Sequence, residues 1–332
     1  MKAVLCTRLG GPEDLQVTEV PPLVPAQGQV VVAVHAASVN FPDTLIIAGK
    51  YQFKPELPFA PGSEVAGVVK SVGEGVSGWA PGDRVIGICS WGGFADEVCV
   101  DAHRLVRLLP GVRMDDASAL VVTYGTTHHA LKDRAHLRPG QTLLVLGAAG
   151  GTGLSAVELG KLMGARVIAA ASSAEKLALC RDYGADETID YSTEDLRDGV
   201  KRIVGARGVD LVYDPVGGAY TEAALRSLAW GGQLLVIGFT SGEIPRPPLN
   251  LPLLKGSSIV GVFYGRFREE ERARSDEGLA ELMQWLAEGR IRPPITQRLP
   301  LEQAVQALQQ VAARQVRGKI VLTTALGRAE AG

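Results

Sequence analysis

The sequence predicts an α/β protein in which a doubly wound parallel sheet is inserted in a second domain built of short strands. Three observations predict it. An apolar strand runs into a glycine-rich turn at TLLVLGAAGGTG (142 to 153). Five further strand candidates follow it, each set off from the next by a helix-like or polar segment. Residues 1 to 120 look different, with short strand candidates punctuated by Pro/Gly turns. Strands alternating with helices are the pattern of a parallel sheet covered on both faces, and closely spaced short strands with such turns are the pattern of a β-barrel.

In the central stretch, Leu143 to Leu146 form the continuous apolar run of a strand buried on both faces. Gly147, Gly150, Gly151 and Gly153 follow. Glycine there permits a tight turn, lets the backbone approach a phosphate, and lets the next helix sit close to the strand. That helix is read as LSAVELGKLM, with Ser155, Glu158 and Lys161 as its polar stripe and Gly164 as its stop. Its amino end favours a pyrophosphate over the turn, which makes Ala149, Gly150, Gly151 and Thr152 candidate contacts. The later strands are RVIAA (166 to 170), ETID (187 to 190), VDLVYD (209 to 214), QLLVIG (233 to 238) and SIVGV (258 to 262). Val216, Ile237, Gly238 and Phe239 lie at the carboxyl ends of two of them, where ligands bind in such sheets. The alternation around the turn is that of a Rossmann dinucleotide-binding fold; the plainer alternative is an α/β domain with no ligand.

An acidic residue about 20 positions beyond the glycines selects NAD in this fold. Here the second strand ends Ala169-Ala170-Ala171-Ser172-Ser173 without a carboxylate. Lys176 follows shortly after, and Tyr191 closes the next strand. Two hydroxyls, a cation and a phenol suit a 2′-phosphate, so NADPH is the expected cofactor. The alternative is that Ser172 and Ser173 cap the following helix and Lys176 lies on its solvated face.

At 332 residues, two domains are expected. Hydrophobic content of 46% and charged content of 21% exclude disordered and fibrous classes, and a net charge of −2 argues against nucleic acid as the main partner. No apolar run reaches membrane-spanning length, and the start, MKAVLC, reads as a strand rather than a signal segment. A cytoplasmic protein is expected. Cys6, Cys89, Cys99 and Cys180 are scattered and read as reduced packing residues, so no metal is expected. After residue 264 come a mixed-charge run, RFREEERAR, a helix, GLAELMQWLAEG, and a last strand, KIVLTT. The expected boundaries are 1 to 122 completed by 264 to 332, with the nucleotide-binding domain at 123 to 263.

The motifs GAAGGTG, PGSEVAGVV, APGDRV, VTYGTTHHAL and GKIVL, in this order, resemble the medium-chain dehydrogenase/reductase superfamily. More closely the chain is similar to its zinc-free branch, the NADPH:quinone oxidoreductases related to zeta-crystallin. The resemblance covers nearly the whole chain and implies a GroES-like first domain and NADPH-dependent reduction of quinones. Two other functions stay open: reduction of α,β-unsaturated carbonyls, and binding of NADPH without turnover. Where zinc-dependent members carry a cysteine and a histidine, this chain has Asn40 and Ser63, and the four-cysteine structural lobe is missing. Glu64 is left as a structural carboxylate.

The resemblance also implies site residues. Asn40 corresponds to an active-site asparagine and is a candidate for catalysis, cofactor and substrate; the alternative is a turn residue before Pro42. Tyr51 stands at the spacing of a proton-donating tyrosine in enoyl reductases, and is either that donor or an amphipathic residue lining the site. Thr126 matches a cofactor contact. His129 is a candidate for the substrate wall, with packing or capping as the reading favoured for it and for His128. Phe263 is placed near nicotinamide and substrate, or in the core. Arg317 and Lys319, before the last strand, correspond to basic groups that approach the cofactor; for Arg317 a surface position is the alternative. Asp43 is read as a turn or salt-bridge residue. The edge strand at 257 to 264 implies a homodimer.

Overall fold

The computed structural model describes residues 1–331. Contacts divide the chain into two units: Met1–Val122 together with the residues from Met283 onward, and Thr123–Leu282. The first crossing lies at 122/123. The second comes later than the expected 263/264, because the helices Tyr264–Glu270 and Arg272–Ala287 supply Phe267 and Glu281 to the side chains of His129 and His128.

The first unit is organised on one long strand. The hairpin β1 (Lys2–Cys6) and β2 (Leu15–Glu19) is followed by β3 (Gln29–Ser38), β4 (Glu64–Val72), β5 (Arg84–Ile88), β6 (Glu97–Asp101) and β7 (Leu105–Arg107). Strand β3, QVVVAVHAAS, is rich in β-branched residues and almost wholly buried. One edge of it pairs antiparallel with β4 from Val30 to Ala37. The other edge pairs with β6 over Gln29–Ala33 and with the last strand, which returns from the far end of the chain, over Ala36–Ser38. The carboxyl end of β3 therefore meets the carboxyl-terminal segment, and Asn40 comes directly after it.

The second unit holds a six-stranded parallel sheet: β8 (Thr142–Val145), β9 (Arg166–Ala171), β10 (Glu187–Asp190), β11 (Val209–Asp214), β12 (Leu228–Val236) and β13 (Ser258–Gly261). Its spatial order is β10-β9-β8-β11-β12-β13. That is the doubly wound order, with the switch beside β8, so the turn after β8 lies where such sheets bind ligands. Two elements of this unit start earlier than expected. The helix after β8 runs Gly151–Leu162 rather than from Leu154, since the glycines form its first turn. Strand β12 begins at Leu228, five residues before QLLVIG, because Leu228 already pairs with Val209 across an irregular register. The core of this unit includes Leu144, Leu146, Ile168, Val212 and Leu234, all fully buried. The chain returns to the first unit in β14 (Ile295–Pro300) and β15 (Lys319–Thr323), which pair in parallel.

Candidate functional site

In the second unit, Gly147 adopts a φ of +54°, and its carbonyl lies so close to the helix that a Cβ on Gly153 would fall 2.4 Å from it. Glycine at 153 is therefore what allows the helix to start against the turn. A Cβ on Gly150, by contrast, would meet nothing closer than 3.4 Å. The space over Gly150, in front of the unpaired first-turn N–H groups, is the kind of cradle a pyrophosphate occupies. Ala149 is buried, while Gly151 and Thr152 open the helix.

At the end of β9, Lys176 donates from Nζ to Ser172 Oγ at 3.0 Å, and the Tyr191 phenol also hydrogen-bonds Ser172. Burial, then the neighbouring Tyr220 ring at 4.6 Å, raises the Tyr191 phenol and keeps it a donor. Ser173 is spent on the helix Ala174–Asp182, accepting from the Lys176 N–H at 3.3 Å. The two alternatives open in the sequence are thus divided between neighbours: Ser173 caps, while Ser172, Lys176 and Tyr191 converge at the strand end.

Asp214, at the end of β11, was not singled out by sequence reasoning. Its Oδ1 accepts from the N–H groups of Val216 and Gly217, both at 2.9 Å, and Oδ2 accepts from Thr221 Oγ1 at 2.6 Å. Its carbonyl accepts from Ile237 at 3.0 Å and Gly238 at 3.3 Å. One residue ties down both loops that carry Val216, Ile237 and Gly238. The signal for it was a carboxylate at the carboxyl end of the strand VDLVYD. Phe239 and Phe263 are exposed, Phe263 at 47%. Thr126 is half-buried; its neighbour Thr127 joins Ser155 at 2.8 Å and Tyr213 at 2.9 Å in a buried hydroxyl chain.

His129 is stacked on Phe267 at 3.8 Å and bonded through Nδ1 to Asp133 at 2.9 Å. His128 meets Glu281 through Nε2 at 2.7 Å. Burial lowers both imidazoles, against the pull of their carboxylates. His129 is held as a packed, hydrogen-bonded side chain.

In the first unit, Asn40 precedes the helix Phe41–Ile47 and is 5% exposed. Its Nδ2 donates toward Glu64 Oε1 at 3.1 Å and Ser38 Oγ at 3.2 Å, and its Oδ1 accepts from Lys319 Nζ at 2.5 Å. Both ends of the amide are committed inside the unit. Lys319, expected at the cofactor, is 3% exposed and turns its ammonium inward to Asn40 and to the Val39 carbonyl at 3.1 Å. The cause is β15's register against β3, which sets its first residue beside the strand's end. Arg317 is exposed. Asp43 Oδ2 accepts from the Asn40 N–H at 2.7 Å, and burial pushes its carboxyl up to about 7. Tyr51 is half-buried and packs on the core; burial and then the Asp43 charge raise its phenol, so it stays protonated.

The comparisons with known proteins follow this division. Residues 26–110 match the alcohol dehydrogenase GroES-like domain model, and residues 151–283 match the zinc-binding dehydrogenase model. The quinone oxidoreductase-like protein 2 homolog of Nematostella vectensis is 39% identical over 97% of this chain and 89% of its own. Its Bos taurus counterpart, quinone oxidoreductase-like protein 2, is 40% identical over 97% of this chain and 92% of its own. The crystal structure of Escherichia coli quinone oxidoreductase complexed with NADPH superposes with a TM-score of 0.90 at 30% identity, covering 97% of this chain and 100% of that one. The chain belongs to the quinone oxidoreductase branch of the medium-chain dehydrogenase/reductase family. In this quinone oxidoreductase relative, residues 26–110 thus fall in a GroES-like domain and residues 151–283 in a Rossmann domain. The family model's name implies zinc, but the residues do not fit it: Asn40 and Ser63 stand at the ligand positions, and among the described residues no three His, Cys, Asp or Glu side chains group to hold a metal. No helix among them is long and apolar enough to cross a membrane.

Proposed function

We propose that this protein is an NADPH-dependent reductase of quinones and works as a homodimer. The observation that carries the nucleotide choice is the meeting of Ser172, Lys176 and Tyr191 at the end of β9, a strand that itself ends without a carboxylate. An ammonium and two hydroxyl donors bind a 2′-phosphate, and a carboxylate there would repel it. The open space over Gly150 and the helix amino end suit the pyrophosphate. Asp214 holds the Val216 and Gly238 loops in place to orient the rest of the cofactor. Bound in this way, NADPH supplies a hydride. The quinone acceptor is supported by the names of the relatives, and quinones need positioning more than acid catalysis.

One observation favours a second acceptor class, α,β-unsaturated carbonyls. Burial, and then the Asp43 charge, raises the Tyr51 phenol, so it holds a donor for a developing enolate. Asn40, whose amide is engaged with Lys319 and Glu64, serves as support for that segment rather than as the donor itself.

The homodimer is supported by β13, which among the described residues pairs with β12 alone, and by the exposure of Trp230 and Leu253 in the same unit, 82% and 79%. Light scattering at micromolar protein should give twice the chain mass; a monodisperse monomer would sink it.

The activity is tested by following nicotinamide absorbance with NADPH or NADH and three acceptors: 1,4-benzoquinone, a naphthoquinone and a 2-alkenal. Fast NADPH oxidation with the quinones is expected. A 2-alkenal outpacing both quinones would transfer the assignment to the second class, and no turnover with any acceptor would overturn the reductase reading.

A further inference from the structure

The first unit buries a lysine that the proposed reaction does not use directly. Lys319, Glu64, Asn40, Ser38 and Asp43 are each at most 5% exposed. Charges so deep require partners, and Lys319 and Glu64 have them. Glu64 Oε1 accepts from Ser38 Oγ and from Asn40 Nδ2, and Oε2 accepts from the Val122 N–H at 2.9 Å. The Lys319 ammonium donates to Asn40 Oδ1 and the Val39 carbonyl, and stands 3.7 Å from Glu64 Oε1, beyond direct hydrogen bonding.

Asn40 therefore bridges an ammonium and a carboxylate, and its amide has one acceptable orientation. A flip would set the NH₂ group against the ammonium and the oxygen against Glu64. The bridge has a local consequence. An asparagine at a helix start ordinarily caps with its side-chain oxygen, yet Asn40 makes no such bond to the helix Phe41–Ile47. Lys319 holds that oxygen, and the end is closed the other way, by Asp43 reaching back to the Asn40 N–H. The helix that leads to Tyr51 is thus anchored at its start through Lys319.

We infer that Lys319 is a positioning residue for the reductase site: an internal cation that locks the Asn40 amide and, with it, the segment from Asn40 to Tyr51. This rests on the reductase reading for its kinetic part, but not for its structural part. Three residues from separate elements face the Lys319 ammonium or its partners, namely Glu64 on β4, Asp43 in the helix and Ser38 on β3.

The test begins with the wild-type protein and the side-chain amide protons of Asn40, assigned by their loss in Asn40→Leu. They should exchange with solvent about a hundredfold or more slower than a free amide, as for a buried bonded group; exchange at the free rate overturns the proposal without any Lys319 variant. In Lys319→Met the protection should fall about tenfold or more, while Lys319→Arg, which keeps the charge, should restore part of it. Kinetically, Lys319→Met should lower kcat about tenfold with NADPH affinity within about twofold of wild type, and Asn40→Leu added to it should cost little more. Unchanged amide exchange in Lys319→Met, or additive losses in the double variant, would overturn the positioning role. If wild type turns over no acceptor while the exchange results hold, the reductase reading fails and the anchoring of Asn40 by Lys319 stands.

Discussion

The Lys176 ammonium reaches back along its own helix to Ser172 Oγ, 3.0 Å away, and does not extend into solvent. A side chain held in that pose places a positive charge at the tip of β9 before any ligand arrives. Lys176→Ala should therefore weaken NADPH binding by about 10- to 100-fold, the worth of one charge-assisted bond of about 1.5–3 kcal/mol. NADH, which lacks the 2′-phosphate, should bind as before. Titration of both nucleotides by fluorescence checks this, and an equal loss for NADH would remove Lys176 from the phosphate site.

The closeness of Gly153 to the Gly147 carbonyl leads to a second expectation. A Cβ at 153 would stand 2.4 Å from that oxygen and 2.7 Å from Ala148 backbone atoms, none of which can swing aside. Gly153→Ala should displace the start of the helix, cost on the order of 1–3 kcal/mol in unfolding free energy, and reduce affinity for both nucleotides alike. Gly150→Ala, with 3.4 Å of clearance, should leave stability nearly unchanged yet still impair nucleotide binding. Urea denaturation and titration of the two variants separate packing from ligand space; equal stability losses would contradict the distinction.

The sheet and its turn were legible because they follow from local pattern: a run of apolar residues such as Leu143 to Leu146, leading into glycines, reads as a doubly covered strand, and glycines crowd where backbone meets backbone. Ser172, Lys176 and Tyr191 were legible for a similar reason, since strand ends converge in a known order. Lys319 was not. Its place depends on a pairing between residues about 280 positions apart in the chain, β15 on β3, and before that register is known the resemblance sends Lys319 toward the cofactor. Asp214 was hidden differently: its partners are backbone N–H groups, which no sequence pattern displays.

Asp43 carries a pH signature. Its carboxyl is fully buried and faces Lys319, Glu64, Tyr51 and Cys89. Burial raises it from 3.8 in the unfolded chain to about 7 in the folded one. Between these values the folded protein holds a proton that the unfolded chain has released, so stability from this group is full at the acid end and declines as pH rises toward about 7, then levels. The slope is at most about 1.4 kcal/mol per pH unit. Asp43→Asn retains an oxygen for the Asn40 N–H and cannot ionise, so its stability relative to wild type should climb from about pH 4 to about pH 7. Urea midpoints of both proteins across that range decide the matter, and a constant difference would show that Asp43 does not titrate there.

Tyr51 separates the two acceptor classes. The phenol is raised above its ordinary range by burial and by Asp43, so at neutral pH it can give a proton but not take one. A quinone gains its protons on oxygens that exchange freely with water, whereas an enolate formed from an alkenal must be protonated at carbon, the slower step. Tyr51→Phe removes only the hydroxyl and leaves the ring contact with Phe53, whose centroid lies 5.8 Å away, so packing is preserved. Quinone turnover should change less than about threefold, and alkenal turnover should fall about 100-fold, the usual worth of a positioned general acid. Loss of both activities in parallel, with NADPH affinity intact, would instead assign Tyr51 to holding the acceptor.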